Sequence, residues 1–402
     1  MFRVTYKNYW RIDVKMKIYR LNGWKTVSLC DIAEISMGQS PPSEYYNNEN
    51  LGLPFLQGVT NFGDRFPKVT IYCTKEQKVA NPGDILFSVR APVGRINLAP
   101  EKLIIGRGLA AIKSKHNQQH FLFYALKNHF YKEDLIGTGA IFAAIKKDDL
   151  SNIEIQIPED LKIQKKISSI LKPYDDLIEI NQYRIKLLEE AARLLYQEWF
   201  IRLRFPGHEH TKIVDGVPEG WKSVHLHDVA NITMGQSPAS SYYNHDGIGL
   251  PFHQGVRDYG NRFPTNTTYC SKEFRIAEAG DILFSVRAPV GRINITLDRI
   301  VIGRGLASIR SKANHQEFLF YCLKNIFFKD DLMGTGAIYA AITKKELTEY
   351  CLLYPSNLII ESFIEYVKPI DQMIISLHLS NRNLINSRDL LLPRLMNGVI
   401  PV

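Results

Sequence analysis

The sequence predicts an α+β chain in which two duplicated globular domains are separated by two long helices. The two helices are expected to pair with one another. Three observations carry this: a repeat at a fixed offset of 197 residues, an apolar heptad seam after each repeat copy, and short apolar runs bounded by Gly and Pro inside each copy.

The repeat comes first because it organises everything else. Trp24 matches Trp221, MGQSP at 37–41 returns at 234–238, and GDILFSVRAPVGRIN at 83–97 returns unchanged at 280–294. GTGAI at 137–141 returns at 334–338, and the register holds without a gap from Trp24/Trp221 to Pro158/Pro355. A unit of about 135 residues exceeds any solenoid repeat and is long enough to fold alone. The expected boundaries are a first domain over 1–158 (1–16 being an extension, with Met16 an alternative start), a helix over 159–204 and a linker over 205–220. A second domain follows over 221–355, then a second helix and tail over 356–402.

Within each copy, ILFSV (85–89, 282–286), KLII (102–105) and RIVI (299–302) read as short buried strands. QQHFLFYALKNHFYKEDL (118–135) and its partner read as helices. After copy one, a 4-3-4-3 spacing runs through Ile167, Leu171, Tyr174, Ile178, Asn181, Ile185, Leu188, Ala192, Leu195 and Trp199. After copy two it runs through Phe363, Val367, Ile370, Ile374, Leu377, Asn381, Leu384, Arg388, Leu391 and Leu395. Such a/d seams mark helices that pair. Either stripe alone would fit a helix packed on its own domain; two matching seams, each with an asparagine, point to mutual pairing. Pro173 and Pro369 should kink or delay each helix, leaving a continuous run from about Tyr174 to Arg204. FPGHEHTKIVDGVPEGW at 205–221 lacks periodicity and reads as a linker.

Composition narrows the function. The chain has 402 residues, 45% hydrophobic and 23% charged, and no apolar run long enough for a membrane span. Its charged N-terminus lacks the apolar core of a secretory signal, so a cytoplasmic location is expected. Five cysteines without a C-x-x-C pair argue for reduced, structural thiols. The net charge of +9 suggests a polyanionic partner, although +5 of it lies in residues 1–23.

Catalytic signatures are missing. Ser40-Pro41-Pro42 continues with Ser43 where an amino-methyltransferase loop has an aromatic residue, and the second copy reads SPAS. Gly137-Thr138-Gly139 is half of a dinucleotide loop but has Phe142 at the third position, and reads as a tight turn; no phosphate-binding loop occurs. Glu76-Gln77-Lys78, a nuclease look-alike, becomes Glu273-Phe274-Arg275, and the histidines show no ligand spacing.

The arginines are more informative. Copy one has four, Arg65, Arg90, Arg95 and Arg107, and all recur as Arg262, Arg287, Arg292 and Arg304. Of its eleven lysines only six recur as lysine, among them Lys115 as Lys312. A guanidinium fork fits guanine O6/N7 or a phosphate in two places, so retention fits recognition; a recent duplication retaining everything would look the same. The polar segments holding Tyr45-Tyr46 and Tyr242-Tyr243 offer either sugar-phosphate contacts or core caps. The copies differ at Leu56/His253, Thr60/Arg257, Asn61/Asp258 and Gln77/Phe274.

In order, GDILFS, GTGAIFAAIKKDDL, the strand end IEIQIP, IQKKISSIL and LLEEAARLLYQEWF into RFPG, then GDILFS, GTGAIYAAITKKEL and LLLPRLMNGVIP, resemble the specificity subunit of type I restriction-modification systems over nearly the full length. The resemblance implies two target-recognition domains, each reading half of a split double-stranded DNA site. It also implies that the two helices form an antiparallel coiled-coil spacer in a pseudo-twofold cyclic arrangement, with Ile178, Asn181, Ile185, Leu188, Leu195, Ile374, Leu377, Asn381, Leu384 and Leu391 in its seam. Two methyltransferase subunits, carrying S-adenosylmethionine, would dock on it, and endonuclease subunits, carrying ATP and Mg²⁺, would join in a restriction complex. The chain itself would be noncatalytic, with no cofactor or metal and no membrane contact.

The candidate DNA contacts are Arg65, Arg90, Arg95, Arg107, Lys115, Tyr45 and Tyr46 in copy one. In copy two they are Arg262, Arg287, Arg292, Arg304, Lys312, Tyr242, Tyr243 and Arg257. Family members commonly carry two dissimilar recognition domains, whereas these are nearly identical, which implies a near-palindromic site. A helix of about 30 residues, roughly 45 Å long, covers on the order of 13 base pairs, so the unread gap should be about 5–8 base pairs. A single-chain restriction or modification enzyme and a tandem-domain protein-binding scaffold are the alternatives.

Overall fold

The computed structural model describes residues 23–132, 144–327 and 341–402. Both GTGAI segments lie outside the described residues. The chain divides into two compact units at Gln182/Tyr183 and at His378/Leu379, so each unit holds one repeat copy and part of each long helix.

In the first unit, an antiparallel sheet has the order Ala33–Met37, Leu109–Ser114, Ile85–Ser88, Ile96–Leu98. A second sheet has the order Tyr46–Asn47, Tyr72–Cys73, Leu53–Leu56, Leu103–Ile105, Val79–Ala80, in which Leu53–Leu56 runs parallel to Leu103–Ile105. The pairing of Trp24–Ser28 with Glu154–Pro158 brings the ends of the copy together. Helix α1 (Gln119–Lys132) covers the first sheet. Its Phe121, Tyr124 and Ala125 join Ile85, Phe87 and Ile112 in the main core.

The long helix α2 (Leu161–Tyr196) adds Ile167 and Leu171 to that core. The last turns of the second long helix, described below with its own unit, add Leu392, Leu395 and Met396, and Trp24, Ile400 and Val402 pack on the same core. Early residues of one helix thus meet late residues of the other, which is antiparallel pairing. Asn181 Nδ2 donates to Asn381 Oδ1 at 2.9 Å and Asn381 Nδ2 to the Ile178 carbonyl at 3.2 Å, so the polar seam positions satisfy each other. A buried asparagine pair of this kind fixes register.

The second unit repeats the plan, with sheets ordered Ala230–Met234, Leu306–Ser311, Ile282–Ser285, Ile293–Ile295 and Tyr243–Asn244, Tyr269–Cys270, Leu250–His253, Ile300–Ile302, Ile276–Ala277. Helix α3 (Gln316–Phe327) takes the role of α1. Helix α4 (Asn357–Met396) brings Ile360, Phe363 and Val367 against Tyr196, Trp199 and Phe200 of the first long helix. Four aromatic rings interlock there: Phe363 lies 5.0 Å from Phe200, 5.9 Å from Trp199 and 6.0 Å from Tyr196.

Three expectations change. Both long helices run straight through Pro173 and Pro369 rather than starting after them. A helix-interior proline costs about 3 kcal/mol, and buried Ile167, Leu171 and Ile178 on either side of Pro173, like Phe363, Val367 and Ile374 around Pro369, outweigh it. The first helix also ends at Tyr196 in a π turn over Gln197–Ile201, short of Arg204. The 205–220 stretch is not a bare linker: Ile213–Val214 pairs with Val217–Pro218 around Asp215-Gly216, both at positive φ, and Phe205 packs 5.4 Å from Trp221 in the core. An Asp-Gly pair with φ above zero is the turn a two-residue hairpin needs.

Of the ten seam residues, Ile178, Asn181, Ile374, Leu377 and Asn381 are buried. Ile185, Leu188, Leu195, Leu384 and Leu391 are only half-buried. A two-helix seam leaves one flank to solvent wherever no domain covers it. Cys73, Cys270 and Cys322 are buried, Cys30 half-buried and Cys351 exposed; all five thiols are free. Among the described residues no helix is long and apolar enough to cross a membrane.

Candidate nucleic-acid interface

Strand register gathers the candidate side chains of the first unit at one sheet edge. Met37 pairs with Ala110 and Ser88 with Leu109, so Gly38-Gln39-Ser40, Val89-Arg90 and Gly106-Arg107-Gly108 all leave the first sheet at the same end. Leu56 pairs in parallel with Ile105, so Gln57 emerges beside Gly106.

Backbone contacts lock this corner. Gly106 N–H donates to the Leu56 carbonyl (2.8 Å), Gly108 N–H to Gln57 (3.1 Å), Gly38 N–H to Leu109 (2.9 Å) and Gln39 N–H to Ile105 (2.9 Å). A Cβ on Gly38 would sit 2.2 Å from the Gly106 carbonyl oxygen, and one on Gly108 2.6 Å from that of Gln57, so only glycine allows the approach. The Ser40 hydroxyl donates to Gln57 Oε1 (3.0 Å) and accepts from Arg107 N–H (3.1 Å), anchoring both side chains at their base. Gln39, Gln57 and Arg107 are exposed.

The second unit repeats the corner. Ser237 donates to Gln254 Oε1 (2.8 Å) and accepts from Arg304 N–H (3.2 Å), and Gln236, Gln254 and Arg304 are exposed. The identical turn after Ser88 or Ser285 is held by the serine hydroxyl, which donates to Pro92 or Pro289 and accepts from the N–H of Arg95 or Arg292. Arg90, Arg95 and Arg287 are exposed there and Arg292 is half-buried. Arg257 stands 86% exposed on the next turn, 3.8 Å from Asp258.

Several expected contacts belong to the scaffold instead. Arg262 is 4% exposed: it pairs with Asp371 at 2.6 Å, donates to Tyr321 at 3.2 Å and lies 4.5 Å from the Phe320 ring. Burial opposes its charge, yet Asp371 and Tyr321 outweigh that and raise its pKa. Arg65 pairs with Asp176 at 2.7 Å and with Glu179 at 3.6 Å on α2. The partners differ for a sequence reason. In the first unit Asp175 is claimed by Arg388 (2.6 Å) and Tyr124 (2.6 Å), so Arg65 takes Asp176. The second unit has Gln372 where Asp176 would be and Ala192 where Arg388 would be, so Arg262 fills the place itself. Exact retention of this arginine pair therefore reflects a clamp of domain on helix.

Tyr46 and Tyr243 are core caps: each hydroxyl donates to a proline carbonyl (Pro41, 2.7 Å; Pro238, 2.8 Å) and each ring lies about 4.5 Å from Phe55 or Phe252. Burial raises both phenol pKa values, with Arg107 and Arg304 pulling the other way. Tyr45 and Tyr242 are half-buried beside them, under Lys75 and Lys272. Lys115 and Lys312 sit at the opposite end of their strand, donating to the carbonyls of Cys30 (2.6 Å) and His227 (2.7 Å). They tie that end of the sheet together, away from the arginine edge.

Sequence reasoning missed Gln39, Gln57, Gln236 and Gln254. The signal was their retention in both copies inside MGQSP and QGV. An arginine offers a donor fork suited to guanine and a glutamine a donor–acceptor pair suited to adenine, so this edge carries the two commonest base-reading groups on a rigid frame.

Comparison with known proteins agrees with this duplicated arrangement. The family model described as the type I restriction modification DNA specificity domain matches residues 22–190 and again 218–384. The chain belongs to the type I restriction-modification DNA specificity family. Among family relatives, the MjaX specificity subunit of Methanocaldococcus jannaschii is 31% identical over 376 residues, 87% of either chain. The MjaIX specificity subunit of the same organism is 25% identical over 413 residues, 94% of either chain. The crystal structure of a type I restriction-modification S subunit from M. genitalium shares the fold, with a TM-score of 0.61 at 17% identity over 94% of this chain and 98% of that one. The two matched stretches each take in one repeat copy, and each runs on into the long helix that follows it.

Proposed function

We propose that this chain is the noncatalytic specificity subunit of a type I restriction-modification complex, reading a bipartite, near-palindromic DNA site with a gap of about 5–8 base pairs. The observation that carries the reading is the duplicated edge: Gln39, Gln57, Arg90, Arg95 and Arg107 in one unit and Gln236, Gln254, Arg287, Arg292 and Arg304 in the other. Two copies of one reading edge suit two related half-sites. Because glycine contacts and serine hydrogen bonds fix the backbone in advance, little ordering entropy is lost on binding DNA. Two methyltransferase subunits would dock on the helices and hold S-adenosylmethionine, and endonuclease subunits would hold ATP and Mg²⁺.

The test uses the full chain alone with duplex DNA, Mg²⁺ and S-adenosylmethionine. Sequence-selective, salt-sensitive binding without methylation or cleavage is expected. Arg107→Ala and Arg304→Ala should each relax selectivity in one half-site, by roughly 1–3 kcal/mol at the base concerned. Turnover by the chain alone would favour a single-chain enzyme, and the absence of salt-sensitive, sequence-selective DNA binding would favour a protein-binding scaffold.

A further inference from the structure

The two units differ in a concentrated way beneath the reading edge. In the first, Leu56, Ala80, Leu86, Ala99, Leu103, Ile105, Leu109 and Ala111 form a small apolar core with Phe62 packed on it. In the second, the places of Leu56, Phe62, Ala99 and Ala111 are taken by His253, Tyr259, Thr296 and Ser308, and Val69 is replaced by Asn266.

Three of the five new polar residues are joined through Asp298, while the Ser308 hydroxyl donates to Asp281 (2.6 Å). His253 Nε2–H donates to Asn266 Oδ1 (2.9 Å), Asn266 Nδ2 to Asp298 Oδ2 (2.8 Å), and the Thr296 hydroxyl to the Asp298 carbonyl (2.6 Å). His253 is 0% exposed with Nδ1 unpaired, and the buried Tyr259 hydroxyl has no partner either. Burying unpaired polar atoms costs stability, so this exchange is not an improvement in packing. It lies next to an exposed turn that also changes, where Thr60-Asn61 becomes Arg257-Asp258. His253 and Tyr259 bracket that turn, and Asn266 flanks its return: the turn closes through the Tyr259/Pro264 bridge and a Thr265 N–H donated to the Asp258 carbonyl (2.9 Å). The first unit closes its turn the same way, through the Phe62/Pro67 bridge and a Lys68 N–H donated to the Asn61 carbonyl (2.7 Å), but there the Asn61 side chain also donates to Thr70 (2.8 Å).

We infer that the turn 254–259 is the element by which the second unit reads one base differently from the first, with Arg257 contacting a guanine. The chain His253–Asn266–Asp298, which runs from the buried imidazole out to an exposed carboxylate, acts as its positioning support. This rests on the DNA-reading function proposed above.

The experiment selects bound sequences from a randomised duplex with the full chain. Arg257→Thr with Asp258→Asn, which installs the first unit's residues, should change the preference at a single position of one half-site. Guanine preference there should fall about tenfold, and the site should become fully symmetric. Thr60→Arg with Asn61→Asp should move the other half towards the second unit's preference. His253→Leu with Tyr259→Phe and Asn266→Val keeps Arg257 and should weaken discrimination several-fold at that same position only. If this triple variant fails to fold, the surface pair decides. Surface variants that bind selectively with an unchanged site overturn the inference and leave the functional reading standing. Absence of selectivity in the unaltered chain overturns both.

Discussion

Replacing Asp371 with alanine should destabilise the second unit by about 3–5 kcal/mol, because it leaves the Arg262 guanidinium buried without its counter-ion. The Tyr321 hydroxyl, which donates to Asp371 at 2.6 Å, would lose its acceptor as well. Removing the aspartate that pairs with the equivalent arginine of the first unit, Asp176→Ala, should cost about 1 kcal/mol or less, since Asp176 is over a third exposed and Arg65 keeps Glu179. Denaturant unfolding of the full chain checks the contrast. Pairing Asp371→Ala with Arg262→Met should recover much of the loss by removing the stranded charge. Equal, small effects of the two aspartate changes would show that Arg262 is not a buried clamp.

Gly235→Ala is the second large effect. The added methyl would meet the Gly303 carbonyl oxygen at 2.2 Å and the Ile302 carbonyl oxygen at 2.8 Å, both backbone atoms that no rotamer change can move. Relief requires separating the Gly235-Gln236 strand end from the Gly303-Arg304-Gly305 turn. That would break the hydrogen bonds from Gly235 to Leu306 (2.9 Å) and from Gln236 to Ile302 (3.0 Å). A stability loss of about 3 kcal/mol is expected, with selectivity lost in the half-site read by the second unit and kept in the other. Gly83→Ala is the control. It has a positive φ but open space around it, so it should cost about 1–2 kcal/mol and leave selectivity intact. Selection from a randomised duplex reads both; unchanged selectivity in Gly235→Ala would detach the glycine corner from DNA reading.

Much of the fold was legible because duplication and heptad spacing are long-range regularities that survive local noise. The repeat marked the two duplicated copies, and two matching seams, each with one asparagine, pointed to helices that pair. Proline was over-weighted, since a local rule says nothing about the buried residues packed on either side of Pro173 and Pro369. The site was less legible. Arginine retention mixed two causes: Arg107 and Arg304 head the exposed edge, while Arg65 and Arg262 are clamps whose partners lie over a hundred residues away in sequence. The polar neighbours of Tyr46 and Tyr243 in sequence left DNA contact and core cap equally open, and only the packing of Phe55 and Phe252 on their rings decides for the cap. Gln39 and Gln57 carry no distinctive spacing, and only the parallel pairing of Leu56 with Ile105 brings Gln57 beside the Gly106-Arg107-Gly108 turn.

As the proposed specificity subunit, this chain would decide which DNA sequence its methyltransferase partners modify. Mapping methylated bases across a genome in cells with the partner subunits, with and without this chain, tests it most directly. Methylation confined to a split site with two related, inverted halves, absent without the chain and restored by it, is the expected result. A methylation pattern that is the same in its presence and absence would contradict the account.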